Sequence, residues 1–242
     1  MFWVGLHGFG GQGGDLRPLF ESVVTETSPD SVWLPDLFFP GPLSPVNNIA
    51  TWTHHFVKEI KDRGQGKPVR AIGYSLGGRL LLHALCRHPE LFSSAVLISS
   101  HPGINEEEEI RSRQFWESTW AEKFQSLPWD QLWQEWNQNQ VLQNSTTNSQ
   151  LAENEQTRQL LAQALVEWSP TRHGFTESQL RSLPVPVLWV AGQKDRKYVQ
   201  LYEVLKAQKV IQHLAFVPGA GHRVHLDQPN QLAKVVSSFF HA

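Results

Sequence analysis

The chain has 242 residues, 40% hydrophobic and 18% charged, with a formal net charge of −2. That length supports one large core, or a core with an inserted cap, and the balance excludes a disordered chain. The near-neutral charge gives no reason to expect nucleic acid or an anionic membrane as partner, and the single cysteine, Cys86, excludes an internal disulfide.

Met1–Gly11 passes from an apolar run into a glycine-rich turn without a basic leader, so it reads as a first strand rather than a signal peptide. No stretch approaches the roughly 20 apolar residues that a membrane span requires. The expectation is a cytoplasmic protein, a monomer or weak homo-oligomer, with no nucleic-acid partner.

Short apolar runs bounded by Gly or Pro predict strands at Phe2–Leu6, Ser31–Leu34, Val69–Ile72, Ala95–Ile98, Val185–Ala191 and His213–Val217. Helical stretches at Trp52–Arg63, Leu76–His88, Tyr198–Ala207 and Gln231–Phe240 lie among them. This alternation predicts an α/β protein with a mostly parallel sheet covered on both faces, and functional loops at the carboxyl ends of its strands. It stops at 104–182, a polar segment without a convincing strand, so the expected organisation is a core (1–103), a helical cap (104–182) and the rest of the core (183–242).

Six of the ten tryptophans fall in that insert, at 116, 120, 129, 133, 136 and 168. Their spacing makes apolar stripes on amphipathic helices. Such stripes serve either to fasten helices to the body or to line a pocket beneath a lid. Gln138–Asn154 is expected to be a flexible connector, and Glu106–Glu109 a solvated face.

Gly73-Tyr74-Ser75-Leu76-Gly77 is a G-x-S-x-G pentapeptide between a predicted strand and a predicted helix, the setting of a nucleophile elbow. A serine hydroxyl needs a base to take its proton. His222 follows the last strand on Pro218-Gly219-Ala220-Gly221, and Asp195 follows the strand before it on Gly192-Gln193-Lys194. The order Ser75, Asp195, His222 is the one an α/β-hydrolase fold uses. His225 and Asp227 are nearby rivals but fall where a helix is expected to begin.

Leu6-His7-Gly8-Phe9-Gly10-Gly11 follows the first strand. The Phe9 and Leu76 backbone N–H groups are the expected oxyanion donors, with His7 holding the loop. Arg79 lies one helical turn after Ser75 and shares its face. It pairs either with an internal acid or, in bidentate fashion, with a substrate carboxylate. Arg111, Arg113 and Lys197 are further cations near the expected mouth.

Gly73-Tyr74-Ser75-Leu76-Gly77-Gly78-Arg79, His101-Pro102-Gly103, the Arg113…Trp120…Phe124 stretch and Trp136 resemble the SHCHC synthase (MenH) family of menaquinone biosynthesis. The resemblance runs from Leu6 to the C-terminus. It implies an α/β-hydrolase-fold lyase that uses no metal and no organic cofactor and acts on a small anionic (dicarboxylate) substrate. It eliminates pyruvate from 2-succinyl-5-enolpyruvyl-6-hydroxy-3-cyclohexene-1-carboxylate (SEPHCHC) to give SHCHC.

By position, the resemblance makes Ser75, Asp195 and His222 the triad. It makes Phe9 and Leu76 the oxyanion amides, and Arg79 and Arg113 carboxylate ligands, with Tyr74 and Trp136 at the pocket. A third family arginine has no counterpart at Leu151-Ala152-Glu153-Asn154, leaving Arg158 as the nearest substitute. Pro170-Thr171-Arg172-His173-Gly174 also departs from the family pattern. Leading strands of larger relatives are missing, which reads as a trimmed fold. Two rivals stand beside the lyase: a carboxylesterase or thioesterase working through acyl-Ser75, and a ligand-binding protein that kept the fold without catalysis.

Overall fold

The structure, a computed structural model, describes residues 1–24, 31–39, 43, 48–147 and 151–241. Six strands form one parallel sheet: β1 (Trp3–Leu6), β2 (Val32–Trp33), β3 (Val69–Tyr74), β4 (Phe92–Ile98), β5 (Val187–Gly192) and β6 (His213–Val217). Their order is β2-β1-β3-β4-β5-β6. Leu6 pairs with Gly73, Tyr74 with Ile98 and Gly192 with Val217, so the strands end nearly level and the loops after them open on one edge.

Successive side chains of a strand face opposite sides, and here both sides are dry. Val4, Ala71, Leu97 and Trp189 pack with α2 (Ile49–Arg63), α3 (Leu76–Arg87) and α8 (Arg196–Ala207). Trp3, Ile72, Val96 and Val190 pack with α1 (Arg17–Val23) and α10 (Pro229–Phe240) on the other side. The fold is the α/β sandwich expected, with local differences. β5 starts at Val187 rather than Val185, because Pro184 and Pro186 have no N–H to give a ladder and only the Pro186 carbonyl joins it, accepting from Ala95 N–H at 3.0 Å. α2 starts three residues earlier than expected, where the Asn48 side chain caps it by accepting from Thr51 N–H at 3.0 Å.

Between β4 and β5 the described residues hold no strand. They form α4 (Glu107–Ser126), α5 (Trp129–Asn137), α6 (Glu155–Glu167) and α7 (Glu177–Arg181). A short α9 (Val224–Asp227) precedes α10. Trp120, Phe124, Trp133 and Trp136 form one aromatic cluster between α4 and α5, with Trp120 and Trp136 edge-to-face at 4.9 Å. Trp168 is wholly buried, its ring 6.1 Å from Trp52 of α2 and 6.2 Å from Phe38, so it ties the helical segment to the core. No helix among the described residues is long and apolar enough to cross a membrane.

Within the expected connector Gln138–Asn154, residues 148–150 lie outside the described residues. The described part makes hydrogen bonds to the loop after β6. Ser145 Oγ accepts from Arg223 N–H at 2.9 Å, and Thr146 N–H donates to Asp227 at 2.7 Å. Most of its polar side chains are exposed, while Ser145 and Thr146 tie it to the loop after β6.

Trp168→Ala removes a fully buried indole, and such truncations cost about 3–5 kcal/mol. Urea unfolding is expected to show the free energy of unfolding lowered by that amount, read as a lower midpoint at unchanged slope. A loss under about 1 kcal/mol means that the ring does not fasten the segment.

Candidate active site

Ser75 stands between β3 and α3 with φ 49° and ψ −111°, a conformation L-residues seldom adopt. Strain of this kind costs about 1–3 kcal/mol and persists only where packing imposes it. The packing is visible. A Cβ on Gly73 would lie 2.5 Å from Gly78 Cα, and one on Gly77 would lie 2.3 Å from the Leu6 carbonyl oxygen. Ser75 N–H donates to Ile98 O at 2.8 Å, anchoring the turn to β4.

The turn aims Ser75 at the loop after β6. Ser75 Oγ lies 3.1 Å from His222 Nε2, and His222 Nδ1 lies 2.7 Å from Asp195 Oδ2. Asp195 ends the β5 loop and also caps α8, where its Oδ1 faces Tyr198 N–H at 3.5 Å. His222 and Asp195 are both buried, and the Tyr198 and Tyr74 rings lie 5.1 and 5.7 Å from the imidazole. Three distant stretches thus meet in one hydrogen-bonded line.

The two sequence rivals sit elsewhere. Asp227 accepts from Gly221 N–H at 2.8 Å and from Thr146 N–H, bracing the loop that carries His222. His225 packs against Tyr74 at 4.4 Å, and burial lowers its pKa to about 3.

After β1, His7 Nδ1–H donates to Gly8 O at 2.8 Å and Nε2 accepts from Leu37 N–H at 2.9 Å, so the neutral ring holds the loop. Burial is what lowers its pKa. Phe9 N–H donates to no acceptor among the described residues, and Leu76 N–H is in the first turn of α3, where a helix leaves its amides unsatisfied. Both residues line the cavity beside Ser75. The Phe9 ring packs on Trp136 at 4.7 Å.

That cavity has a volume of about 370 Å³. Arg79, Arg113, Tyr74, Trp136 and Lys197 all line it, and so does Trp116. Arg79 is the most telling. Its Nε is buried without a partner, and it forms no ion pair among the described residues, so the internal-acid reading is not what the structure shows. Burial first, and Arg113 second, lower its pKa to about 10.

Arg113 is already paired: its Nε donates to the buried Glu117 at 2.7 Å, and its guanidinium lies 4.5 Å over the Trp116 ring. Burial lowers the Lys197 pKa, with Arg113 adding to the effect. The Tyr74 hydroxyl is pushed far up by burial. His101 of the His-Pro-Gly sequence accepts from Gly103 N–H at 3.1 Å, and burial beside Lys197 and Arg79 lowers its pKa to about 3.

Residues 3–235 match the model of the alpha/beta hydrolase family. The chain belongs to the alpha/beta hydrolase family. Within it, the chain is 28% identical over 166 residues to 2-succinyl-6-hydroxy-2,4-cyclohexadiene-1-carboxylate synthase from Enterobacter sp. (strain 638), a match covering 67% of this chain and 62% of that one. The synthase of the same name from Salmonella newport (strain SL254) is 27% identical over 162 residues, covering 65% and 62%. The chain thus matches less than two thirds of the length of these curated relatives.

Among solved structures, MenH from S. aureus superposes with a TM-score of 0.84 at 20% identity, over 100% of this chain and 93% of that chain. A malate-bound thermophilic esterase from Thermogutta terrifontis gives 0.72 at 17% identity, over 100% and 89%. These two likenesses are of fold.

In this alpha/beta hydrolase, two of the cations singled out in the sequence lie away from the cavity. Arg111 is exposed and pairs with Glu107 at 3.4 Å. Arg158, the nearest substitute for a third arginine, donates to Phe124 O at 2.8 Å, Leu127 O at 2.9 Å and Glu153, with its guanidinium 5.0 Å over Trp129. Glu109, from the run expected to be solvated, is exposed yet also borders the cavity mouth. Glu117 and Arg223 were not singled out. The i,i+4 spacing of Arg113 and Glu117 was the available signal for the first, and adjacency to His222 for the second.

The line of hydroxyl, imidazole and carboxylate is suited to raising the reactivity of Ser75 Oγ. A fluorophosphonate probe is expected to add one phosphonyl group to Ser75, read by intact-mass spectrometry and peptide mapping. Ser75→Ala should take up none, and His222→Ala should label at least about 100-fold more slowly. Labelling of His222→Ala at the wild-type rate means that the hydrogen bond does not activate the serine.

Proposed function

We propose that this chain is a carbon–oxygen lyase that eliminates pyruvate from SEPHCHC to give SHCHC, a step towards menaquinone or phylloquinone. The reading is supported by one observation above the others: a half-buried arginine, Arg79, in the cavity that holds Ser75, with its Nε buried without a partner and no counter-ion among the described residues. A buried donor without a partner is costly unless an acceptor arrives, and a carboxylate is the acceptor that suits a guanidinium. The names of the Enterobacter and Salmonella relatives point the same way.

SEPHCHC brings a carboxylate on its ring, a second on its succinyl arm and a third on the enolpyruvyl group that leaves, one more than the dicarboxylate expected. Asp195 orients His222, and His222 takes the Ser75 proton as the Ser75 oxygen removes the proton at C2, beside the succinyl ketone. The ketone oxygen gains charge between Phe9 N–H and Leu76 N–H. A C2–C3 double bond forms, the ring double bond moves to C4–C5, and the C5–O bond breaks. Enolpyruvate leaves and takes up a proton to become pyruvate.

The elimination is redox-neutral and calls for no electron carrier. Arg79, Arg113 and Lys197 hold carboxylates so that the C2–H bond faces Ser75, and positioning of this kind supplies several kcal/mol. Residues 104–182 act as the cap, with Trp116 and Trp136 against the substrate and Tyr74 packed beside the serine. The enzyme works in the cytoplasm as a monomer or weak homo-oligomer on a soluble anion.

A second reading keeps the same residues. The Ser75–His222–Asp195 line with two convergent amides equally suits acyl transfer, so an esterase or thioesterase is the alternative. It assigns Arg79 no chemical task.

A coupled assay for pyruvate separates the two. Wild type should release pyruvate from SEPHCHC and turn over p-nitrophenyl acetate slowly. Ser75→Ala should lose about 10³-fold or more in kcat. Arg79→Ala should lose about 10²-fold in kcat/KM, with KM raised and kcat lowered together. Fast ester turnover with a trapped acyl-Ser75 and no pyruvate overturns the lyase reading.

A further inference from the structure

Arg223 follows His222 directly, and it lines the same cavity as Ser75. It is only 5% exposed, yet no carboxylate among the described residues lies within ion-pair distance of it. Asp227, the acid that braces the same loop, spends one oxygen on Gly221 N–H and the other on Thr146 N–H. What Arg223 does touch is neutral. Nη1 donates to Thr146 O at 3.1 Å and Nη2 to Asn137 Oδ1 at 2.6 Å. Its backbone N–H donates to Ser145 Oγ.

Neutral acceptors orient a guanidinium without neutralising it. A guanidinium carries five N–H donors, and two bonds leave the others to serve a ligand. The result is a buried, aimed fork with charge to spare, which suits a carboxylate in bidentate fashion.

The cavity's other cations keep together. Arg113 is the foremost charge acting on Arg79 and on Lys197, whereas Arg223 acts on Tyr74 and His225. Arg79 lies one turn after Ser75 and Arg223 adjoins His222, so the two arginines are carried by the two partners of the Ser75–His222 hydrogen bond. Arg158 is engaged with other groups and leaves this end of the cavity to Arg223.

We propose that Arg223 binds the second carboxylate of a substrate whose first carboxylate is held by Arg79. The assignment deepens the lyase reading and rests on it for the identity of the substrate. It makes the spacing of two carboxylates a determinant of which compounds bind productively.

The test uses two probes, benzoylpropionate with one carboxylate and its ortho-carboxy derivative with two, titrated calorimetrically into the full chain. Wild type should bind the two-carboxylate probe at least about 10-fold more tightly. Arg223→Gln should weaken that probe by about 10- to 100-fold and leave benzoylpropionate within 2-fold. Arg223→Lys should restore part of the loss. Arg79→Gln should weaken both probes.

Thermal melting, together with retained benzoylpropionate binding, shows that Arg223→Gln is folded. Asn137→Ala, which removes a tether but not the charge, should cost less than Arg223→Gln. Equal losses for the two probes in Arg223→Gln, no loss, or no binding of the two-carboxylate probe by wild type overturns the proposal. Pyruvate release by wild type tests the lyase reading alone, so its failure is separable from that of Arg223.

Discussion

The close crossing of α3 over the ends of β1 and β3 is the constraint on which the rest of this structure depends. Gly73, Gly77 and Gly78 leave no room for side chains there, and the backbone they permit holds Ser75 at positive φ. Strain confined to one residue is offset by the many buried contacts of α3, whose leucines 80, 81, 82 and 85 are all fully buried. The outcome is a hydroxyl projecting from a rigid base. The loops after β1, β5 and β6 need only present amides, a carboxylate and an imidazole to it.

Cations are placed against stability. Arg223 sits buried and Arg79 half-buried without counter-ions among the described residues, Lys197 lies nearby at the cavity, and Arg113 is partly compensated by Glu117. Like charges in a low-dielectric cavity raise the free energy of the empty protein. The aromatic cluster of Trp120, Phe124, Trp133 and Trp136 and the buried Trp168 offset that cost with large apolar area. Neutral His101 and His225 add no further charge, because burial keeps both pKa values near 3.

Much of the fold was legible because its signals are local. A buried strand is a short apolar run, and a strand end that must turn sharply needs glycine within a few residues, which is how Ser75, Asp195 and His222 stand out. Placement of the strand at Val185 failed for an equally local reason, the donors missing from Pro184 and Pro186. What stayed hidden depends on distant partners. Asn137 and Thr146 orient Arg223 from 86 and 77 positions away. Arg158 looked available until its bonds to Phe124 and Leu127 were seen. Gln138–Asn154 reads as a loose polar tract, since hydrophobic periodicity carries no information about polar groups that bond to one another.

Those same distant bonds couple two parts of the site that a division into core and insert would treat separately. Ser145 and Thr146 hold the backbone and side chain of Arg223 and one oxygen of Asp227, and the other oxygen of Asp227 holds Gly221. His222 lies between Gly221 and Arg223, so the imbalance of a moved 137–147 segment would reach the imidazole within one residue. Val141 and Leu142 of that segment line the cavity wall. The loop that carries Arg223 is thus also the loop that sets the 3.1 Å distance between His222 and Ser75.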